Sequence, residues 1–192
     1  MDQDALRELI VARSAKLRRP IVVGVSGFGG SGKSTLTRPL VDAIPGAVRM
    51  RGDDFLDPVR SHRRSLDWDG VERTRLVDEV LVPFRTRQAS TFRRYDWARG
   101  ALAAPEPVPA GRVMIVDVIG LFHPEATPAL DLTVWCDVDL ETATERGMRR
   151  DAAAGRDHAR LWREVWVPNE RDFAAAFAPR ESAEVLFSPE PS

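Results

Sequence analysis

Residues 27 to 35 read Gly-Phe-Gly-Gly-Ser-Gly-Lys-Ser-Thr, and Gly27 to Ser34 fill the pattern G-x-x-x-x-G-K-[ST]. No other stretch constrains the fold as much, because the pattern works only between a buried strand and the start of a helix. Both flanks are present. The apolar run Ile21-Val22-Val23-Gly24-Val25 precedes the loop, and a helical pattern opening at Lys33 follows it. Glycine lets the backbone curl so that successive N–H groups converge on phosphate oxygens. The helix adds its own free N–H groups and the positive end of its dipole. The expected phosphate-binding set is Gly27, Phe28, Gly29, Gly30, Ser31, Gly32, Lys33, Ser34 and Thr35. Lys33 would reach the β- and γ-phosphates, and the Ser34 hydroxyl would sit on Mg2+. Of 28 basic residues, Lys16 and Lys33 are the only lysines. A chain that otherwise writes positive charge as arginine keeps a slim point charge where a backbone cradle must admit it.

With 192 residues, 43% of them apolar and 30% charged, the chain has the composition of one globular domain with a substantial core. The net charge of −1 gives no bulk attraction to nucleic acid or to an anionic membrane, and neither is expected as a partner. No apolar run nears the roughly 18 residues of a membrane helix. Met1-Asp2-Gln3-Asp4 does not open a signal peptide. The single cysteine, Cys136, lies in the apolar run 132–136. It is expected to be a buried thiol in a cytoplasmic protein.

Hydrophobic periodicity alternates helix and strand along the chain. An amphipathic helix is expected over 3–18, carrying Leu6, Leu9, Ile10 and Leu17, and a strand over 21–25. A helix follows over about 33–44, with Pro39 as a source of a kink. Then come a strand over 47–50, polar turns over 51–70 and a helix over about 71–81. Residues 85–110, rich in arginine and then proline, read as a ribbon outside the core. Strands are expected at 113–116 and 132–136. Helices at 139–152 and about 157–177 flank a turn at Gly155. A last strand at 185–187 and a frayed tail over 188–192 end the chain. Such alternation, with continuously apolar strands, implies an α/β fold around a parallel sheet covered on both faces.

Ligands of such a sheet gather at the carboxyl ends of its strands, and three further groups point there. Gly52-Asp53-Asp54-Phe55 follows the second strand. Asp53 there would orient or deprotonate an attacking hydroxyl or hold the metal through water, unless the pair is a solvated turn. Asp117 closes strand 113–116 in the position of a metal-orienting acid. Arg146, Arg149, Arg150 and Arg156 surround Gly155, with Arg146 and Arg150 on one helix face. They would close over a transferring phosphoryl group, or else pair with Glu141, Glu145 and Asp151 as a solvated face. His62, His123 and His158 lack the spacing of a zinc site and are expected at the surface.

From about residue 20 to 187 the chain resembles the uridine kinase and nucleoside kinase branch of the P-loop kinases. That branch also includes nicotinamide riboside kinase, phosphoribulokinase and bacterial pantothenate kinase. The resemblance rests on Val25-Ser26-Gly27 entering the loop, Asp53-Asp54-Phe55, Asp67-Trp68-Asp69 before a helix, and Arg94-Tyr95-Asp96-Trp97 in the ribbon. It continues with Val116-Asp117 leading to Gly120-Leu121-Phe122, Arg150-Asp151 with Gly155-Arg156-Asp157, and Pro168-Asn169-Glu170. It implies a P-loop NTPase fold, three-layer α/β/α, with a mostly parallel five-stranded sheet and an Arg-rich lid. A single kinase domain would span 1–192, with an N-terminal helix to 19, a substrate-binding insert at about 51–110 and a lid at about 146–160.

The resemblance also implies chemistry. ATP and Mg2+ would be the cofactors, and the acceptor a small nucleoside-like alcohol such as uridine or cytidine, in an enzyme of a family that often forms homo-oligomers. Asp53, Lys33, Arg146 and Arg150 would be catalytic, and Arg156 would join the nucleotide site. Ser34, Asp53 and Asp117 would serve the metal. Asp53, Phe55, Asp69, Arg94, Tyr95 and Trp97 would face the acceptor. Trp68 and Trp97 are open between base stacking and structural burial. The chain departs from the family pattern in two places: Asp117-Val118 stands where Glu-Gly is usual, and Gly70 where uridine-specific members carry His. Kinases for nicotinamide riboside, pantothenate or another small alcohol are alternatives, as is a regulatory nucleotide switch. Against the switch, the chain has no Asn-Lys-x-Asp guanine motif.

Overall fold

The computed structural model describes residues 1–189; the end of the expected tail, 190–192, lies outside the described residues. The central sheet holds β1 (Ile21–Ser26) and β2 (Ala47–Arg51), together with β7 (Val113–Asp117), β8 (Leu132–Cys136) and β9 (Val185–Phe187). Its order is β2-β7-β1-β8-β9, and every pairing is parallel. The sheet is thus wholly rather than mostly parallel. Antiparallel strands occur in the expected ribbon, where β3 (Thr91–Phe92) pairs β6 (Glu106–Pro107) and β4 (Tyr95–Asp96) pairs β5 (Ala101–Leu102), and an isolated antiparallel bridge joins Leu56 and Val71. Because β1 lies between β7 and β8, the loop leaving it opens into the crevice at the carboxyl edge of three strands.

Side chains alternate across each strand and split the core in two. Ile21, Val23 and Val25 face α1 (Gln3–Lys16) and α2 (Lys33–Ala43), meeting Leu6, Ile10, Leu36 and Leu40. Val22, Met114, Val116 and Trp135 face the other layer, with Phe55, Trp68, Leu76, Val80 and Phe173. Burial on both faces is why these strands read as unbroken apolar runs. Cys136 is buried in the first of these cores, and burial pushes its thiol up to about 11. It is inert packing, as expected from sequence. The ribbon is not wholly outside the core. Phe92 is buried and stacks on Phe55, with ring centroids 5.8 Å apart.

The second layer is made by two composite helices. One runs from α3 (Arg73–Leu76) through a π segment, Val77–Leu81, into α4 (Val82–Thr86). The other runs from α6 (Ala159–Leu161) through a π segment, Trp162–Trp166, into α7 (Val167–Phe177). Each π segment ends two residues before a proline, Pro83 and Pro168. Proline brings no N–H and its ring crowds the carbonyl four residues back. A wider turn just before it relieves both problems without ending the helix. In α2, by contrast, the α-helix runs on through Pro39. α5 (Leu140–Ala153), capped by the Asp139 carboxylate on the Thr142 N–H at 2.8 Å, packs against α7. α8 (Pro179–Ser182) leads into β9. Among the described residues, no helix is long and apolar enough to cross a membrane.

Glycine lets the phosphate loop seat directly on α5. A β-carbon at Gly30, whose φ is +87°, would overlap the Ala143 carbonyl. Inside α5, a β-carbon at Gly147 would lie 2.5 Å from the Trp162 indole. Replacing a mid-helix glycine by alanine ordinarily stabilises a helix by about 1 kcal/mol. Here the sign should reverse. Gly147→Ala is expected to lower stability by about 1–3 kcal/mol through overpacking against Trp162, measured by urea denaturation.

Candidate active site

The loop and the first turn of α2 meet the ends of β7 and β2. Lys33 Nζ donates to the carbonyls of Gly27 and Phe28, each at 2.8 Å, so its charge is folded into the cradle. Ser34 Oγ donates to Asp117 Oδ2 at 2.7 Å. The Asp117 side chain is 4% exposed and also accepts from Arg49 Nε at 2.8 Å and Nη2 at 2.7 Å. Sequence reasoning missed Arg49. Its signal was an arginine at an inner position of an edge strand, where a charge needs a buried partner. Ser34 and Asp117 place two hard oxygens side by side, which fits Mg2+, an ion that takes few protein ligands beside substrate phosphates. Among the described residues, no group of three His, Cys, Asp or Glu is gathered for a metal held by protein alone.

Beyond β2, residues Gly52–Phe55 form a 3-10 turn. Gly52 is required there, because a β-carbon would overlap the Val118 side chain. The two acids diverge. Asp53 is exposed at the strand edge, whereas Asp54 is buried. Burial pushes the Asp54 carboxyl up, partly offset by Arg51 and Arg94. Phe55 is fully buried between Phe92 and the Arg75 guanidinium, which lies 4.3 Å from its ring centre. It therefore supports the turn and does not face an acceptor, contrary to expectation.

Trp68 is likewise closed to stacking on a base. It is 2% exposed, adopts φ +56° and packs under Gly120. Arg73, buried and paired with Glu125 at 2.8 Å, donates to the carbonyls of Asp67 and Trp68, both at 3.0 Å, and fixes that conformation. With Trp68 as anchor, Asp69 is left exposed. Trp97 is 47% exposed and meets Tyr95 edge-on, with centroids 4.8 Å apart. Arg94 is engaged in a two-armed pair with Glu106 and shapes the ribbon. An aromatic path continues from Trp97 through His62 to Trp166, then to Trp162 and His158. His123 is not a surface residue: it packs on Phe173 and Phe177, and burial, then Arg73, hold its pKa down.

The arginines around Gly155 gather on one acid. The Asp151 carboxylate accepts from Trp162 Nε1 at 3.0 Å and Arg150 Nη2 at 3.0 Å, and lies 3.2 Å from His158 Nδ1. The Arg156 N–H donates to the Asp151 carbonyl at 2.9 Å. Burial alone would raise the Asp151 pKa, but Trp162, Arg150 and His158 outweigh it and hold the carboxyl below its ordinary value. The guanidinium groups of Arg150 and Arg156 still face solvent beside this node. Arg146 is half-buried one turn earlier.

One turn of α7 touches both ends of the site. Asn169, fully buried, accepts from the Ser65 N–H at 3.0 Å and from Arg64, and donates to the Arg63 carbonyl at 2.9 Å. Next to it, Glu170 Oε1 accepts the Gly29 N–H at 2.7 Å. Burial pushes the Glu170 carboxyl up to about 7, against the Lys33 charge and the Gly29 N–H. The sequence offered Pro168-Asn169-Glu170 as a segment without a role.

The sheet order and the glycine loop define an α/β fold with a P-loop, and the Ser34–Asp117 contact lies at its mouth. No family model matches the chain. It is 28% identical to the uridine kinase of Leuconostoc citreum over 145 residues, 69% of each protein. It is 26% identical over 137 residues to uridine-cytidine kinase C of Dictyostelium discoideum, which covers 68% of this chain but 30% of that one. The chain thus spans about a third of the length of some of the relatives it matches. Its fold matches a candidate fructose transport system kinase from Silicibacter, with a TM-score of 0.77, 22% identity, and 97% and 99% of the two chains covered. A candidate uridine kinase from Bacillus stearothermophilus matches with a TM-score of 0.68, 16% identity, and 95% and 99% covered. In sequence the chain is similar to uridine kinases, and in fold to solved P-loop kinases.

Glu170 should make stability depend on pH. Its folded carboxyl keeps a proton up to about 7, while the unfolded one releases it near 4.5. Between those values the native state binds more protons, so stability falls as pH rises through the window. Glu170→Gln cannot ionise. It is expected to melt about 3 °C or more above wild type at pH 8 and to lose that advantage at pH 4.5, followed by calorimetry.

Proposed function

We propose that the chain is an ATP-dependent phosphotransferase that moves the γ-phosphate to a hydroxyl of a small nucleoside-like acceptor. The observation that carries this reading is the meeting of Ser34, Asp117 and the loop at the strand edge where Asp53 stands exposed. ATP would lie along residues 27–35. Lys33 would leave the Gly27 and Phe28 carbonyls to neutralise the β- and γ-phosphate oxygens. Asp53 would accept the proton of the attacking hydroxyl, and Asp69, Tyr95 and Trp97 would line the acceptor side. When bound, Mg2+ at Ser34 and Asp117 would supply charge neutralisation of the phosphates. Arg146, Arg150 and Arg156, on the segment at 146–160 ordered by Asp151, would close over the transferring group and exclude water. The segment at 51–110 would carry the acceptor-binding part of a single domain.

Uridine and cytidine are the first acceptors in this reading, supported by the named activities of the relatives in sequence. Gly70, in place of a histidine beside Asp69, leaves room for another sugar-like alcohol such as nicotinamide riboside. The deciding experiment is ADP release from purified protein with Mg·ATP, with and without nucleosides, nicotinamide riboside, pantothenate and simple sugars. A large increase with one acceptor is expected. A slow release that no acceptor changes, with nucleotide binding intact, would point to a nucleotide switch instead.

Two variants test the roles. Lys33→Ala is expected to reduce transfer by about a thousandfold or more. Asp53→Asn is expected to bind nucleotide normally and to lose transfer; near-normal transfer in that variant would remove Asp53 as the base.

A further inference from the structure

The Glu170 carboxylate has no task in the chemistry above, yet it is buried inside the phosphate cradle. Its Oε1 lies 2.7 Å from the Gly29 nitrogen, and its side chain reaches there from a helix about 140 residues further along the chain. A carboxylate at this place is costly, because burial disfavours its charged form. An amide side chain would fill the same space and accept the same N–H without that cost. Gly29 leaves little slack: a β-carbon on it would lie 3.3 Å from Glu170 Oε1 and 2.9 Å from the Trp162 ring. The loop at Gly29 thus meets both the Glu170 carboxylate from α7 and the Trp162 ring.

We propose that Glu170 is an internal anion at the phosphate loop that competes with the nucleotide phosphate, which binds with uptake of a proton at Glu170. This rests on the reading of the loop as a nucleotide site. The carboxylate supplies negative charge beside the Gly29 N–H and Lys33. An arriving phosphate brings two or more negative charges to the same donors. Repulsion between two anions in one buried cradle drives one of them to neutralise, and the carboxylate, already shifted upward by burial, takes the proton. As a neutral acid it still accepts the Gly29 N–H and leaves Lys33 to the phosphate.

The neighbours do not offer another acid for this step. Lys33 is the charged group that acts on Glu170 from the loop. From α5, Asp151 is already engaged by Trp162, Arg150 and His158. From the segment 63–65, Arg64 is paired with Asp172. The adjacent Asn169 holds that same segment, so the turn that senses phosphate also anchors the acceptor side.

The test is isothermal titration of wild type and Glu170→Gln with Mg·ATP, in two buffers of different ionisation enthalpy, at pH 6 and pH 8. Glutamine keeps the size and the Gly29 hydrogen bond and removes only the charge; melting curves confirm that the variant is folded. The expected result is about tenfold tighter binding by the variant at pH 8, shrinking toward equality at pH 6. Wild type should also take up on the order of half a proton more than the variant at pH 8. Comparing the two proteins cancels the titration of the nucleotide itself. Equal affinity and equal proton uptake at pH 8 would overturn the proposal while leaving the nucleotide site standing. Wild type that binds no nucleotide at all would remove the functional reading and this one with it.

Discussion

The Asp117 carboxylate holds the site together. It closes the interior strand β7, takes both arms of Arg49 from β2, and receives the Ser34 hydroxyl from the first turn of α2. Three elements that are remote in sequence are thereby fixed to one buried acid. Burying that charge is tolerable only because Arg49 neutralises it and three donors satisfy its oxygens. The end of β7, the start of the loop helix and the edge strand leading to Asp53 are consequently set by one cluster rather than adjusted independently.

A second set of contacts joins the phosphate loop to the rest of the cleft. Gly30 rests on the backbone of α5, and Gly147 admits the Trp162 indole. Trp162 is in turn bonded to Asp151, where Arg150, His158 and the Arg156 backbone converge. From Trp162 the aromatic path reaches Trp166, His62 and Trp97. Helix α7 completes the circuit through Asn169 and Glu170. A movement of α5 or α7 therefore has to involve both the loop that would hold phosphate and the segment that would hold the acceptor. That mechanical connection suits a reaction in which closure must await both ligands.

Much of this was legible in the sequence, and the parts that were not share a cause. The loop, the order of strands and helices, and the acids at the strand ends followed from local pattern, since glycine placement and periodicity act over a few residues. Phe55 was expected at the acceptor and Trp68 was left open between base stacking and burial, because a local motif does not say which way an aromatic side chain turns. Their burial depends on Phe92 and Arg75 for one, and on Gly120 and Arg73 for the other. His123 was placed at the surface for the same reason; two phenylalanines some 50 residues away cover it.

By itself the sequence determined the phosphate cradle, because G-x-x-x-x-G-K-S between an apolar strand and a helix has few other ways to satisfy its backbone. It also determined a parallel sheet, through strands apolar on both faces. Only the tertiary structure decided what the charged groups do. It paired Asp117 with Arg49, gathered Arg150, His158 and Trp162 around Asp151 and brought Glu170 onto the Gly29 N–H. Such partners lie 68 and 141 positions apart. A charge entering a low-dielectric interior needs a counter-charge or a hydrogen bond wherever the fold can bring one, and sequence distance does not record where that is.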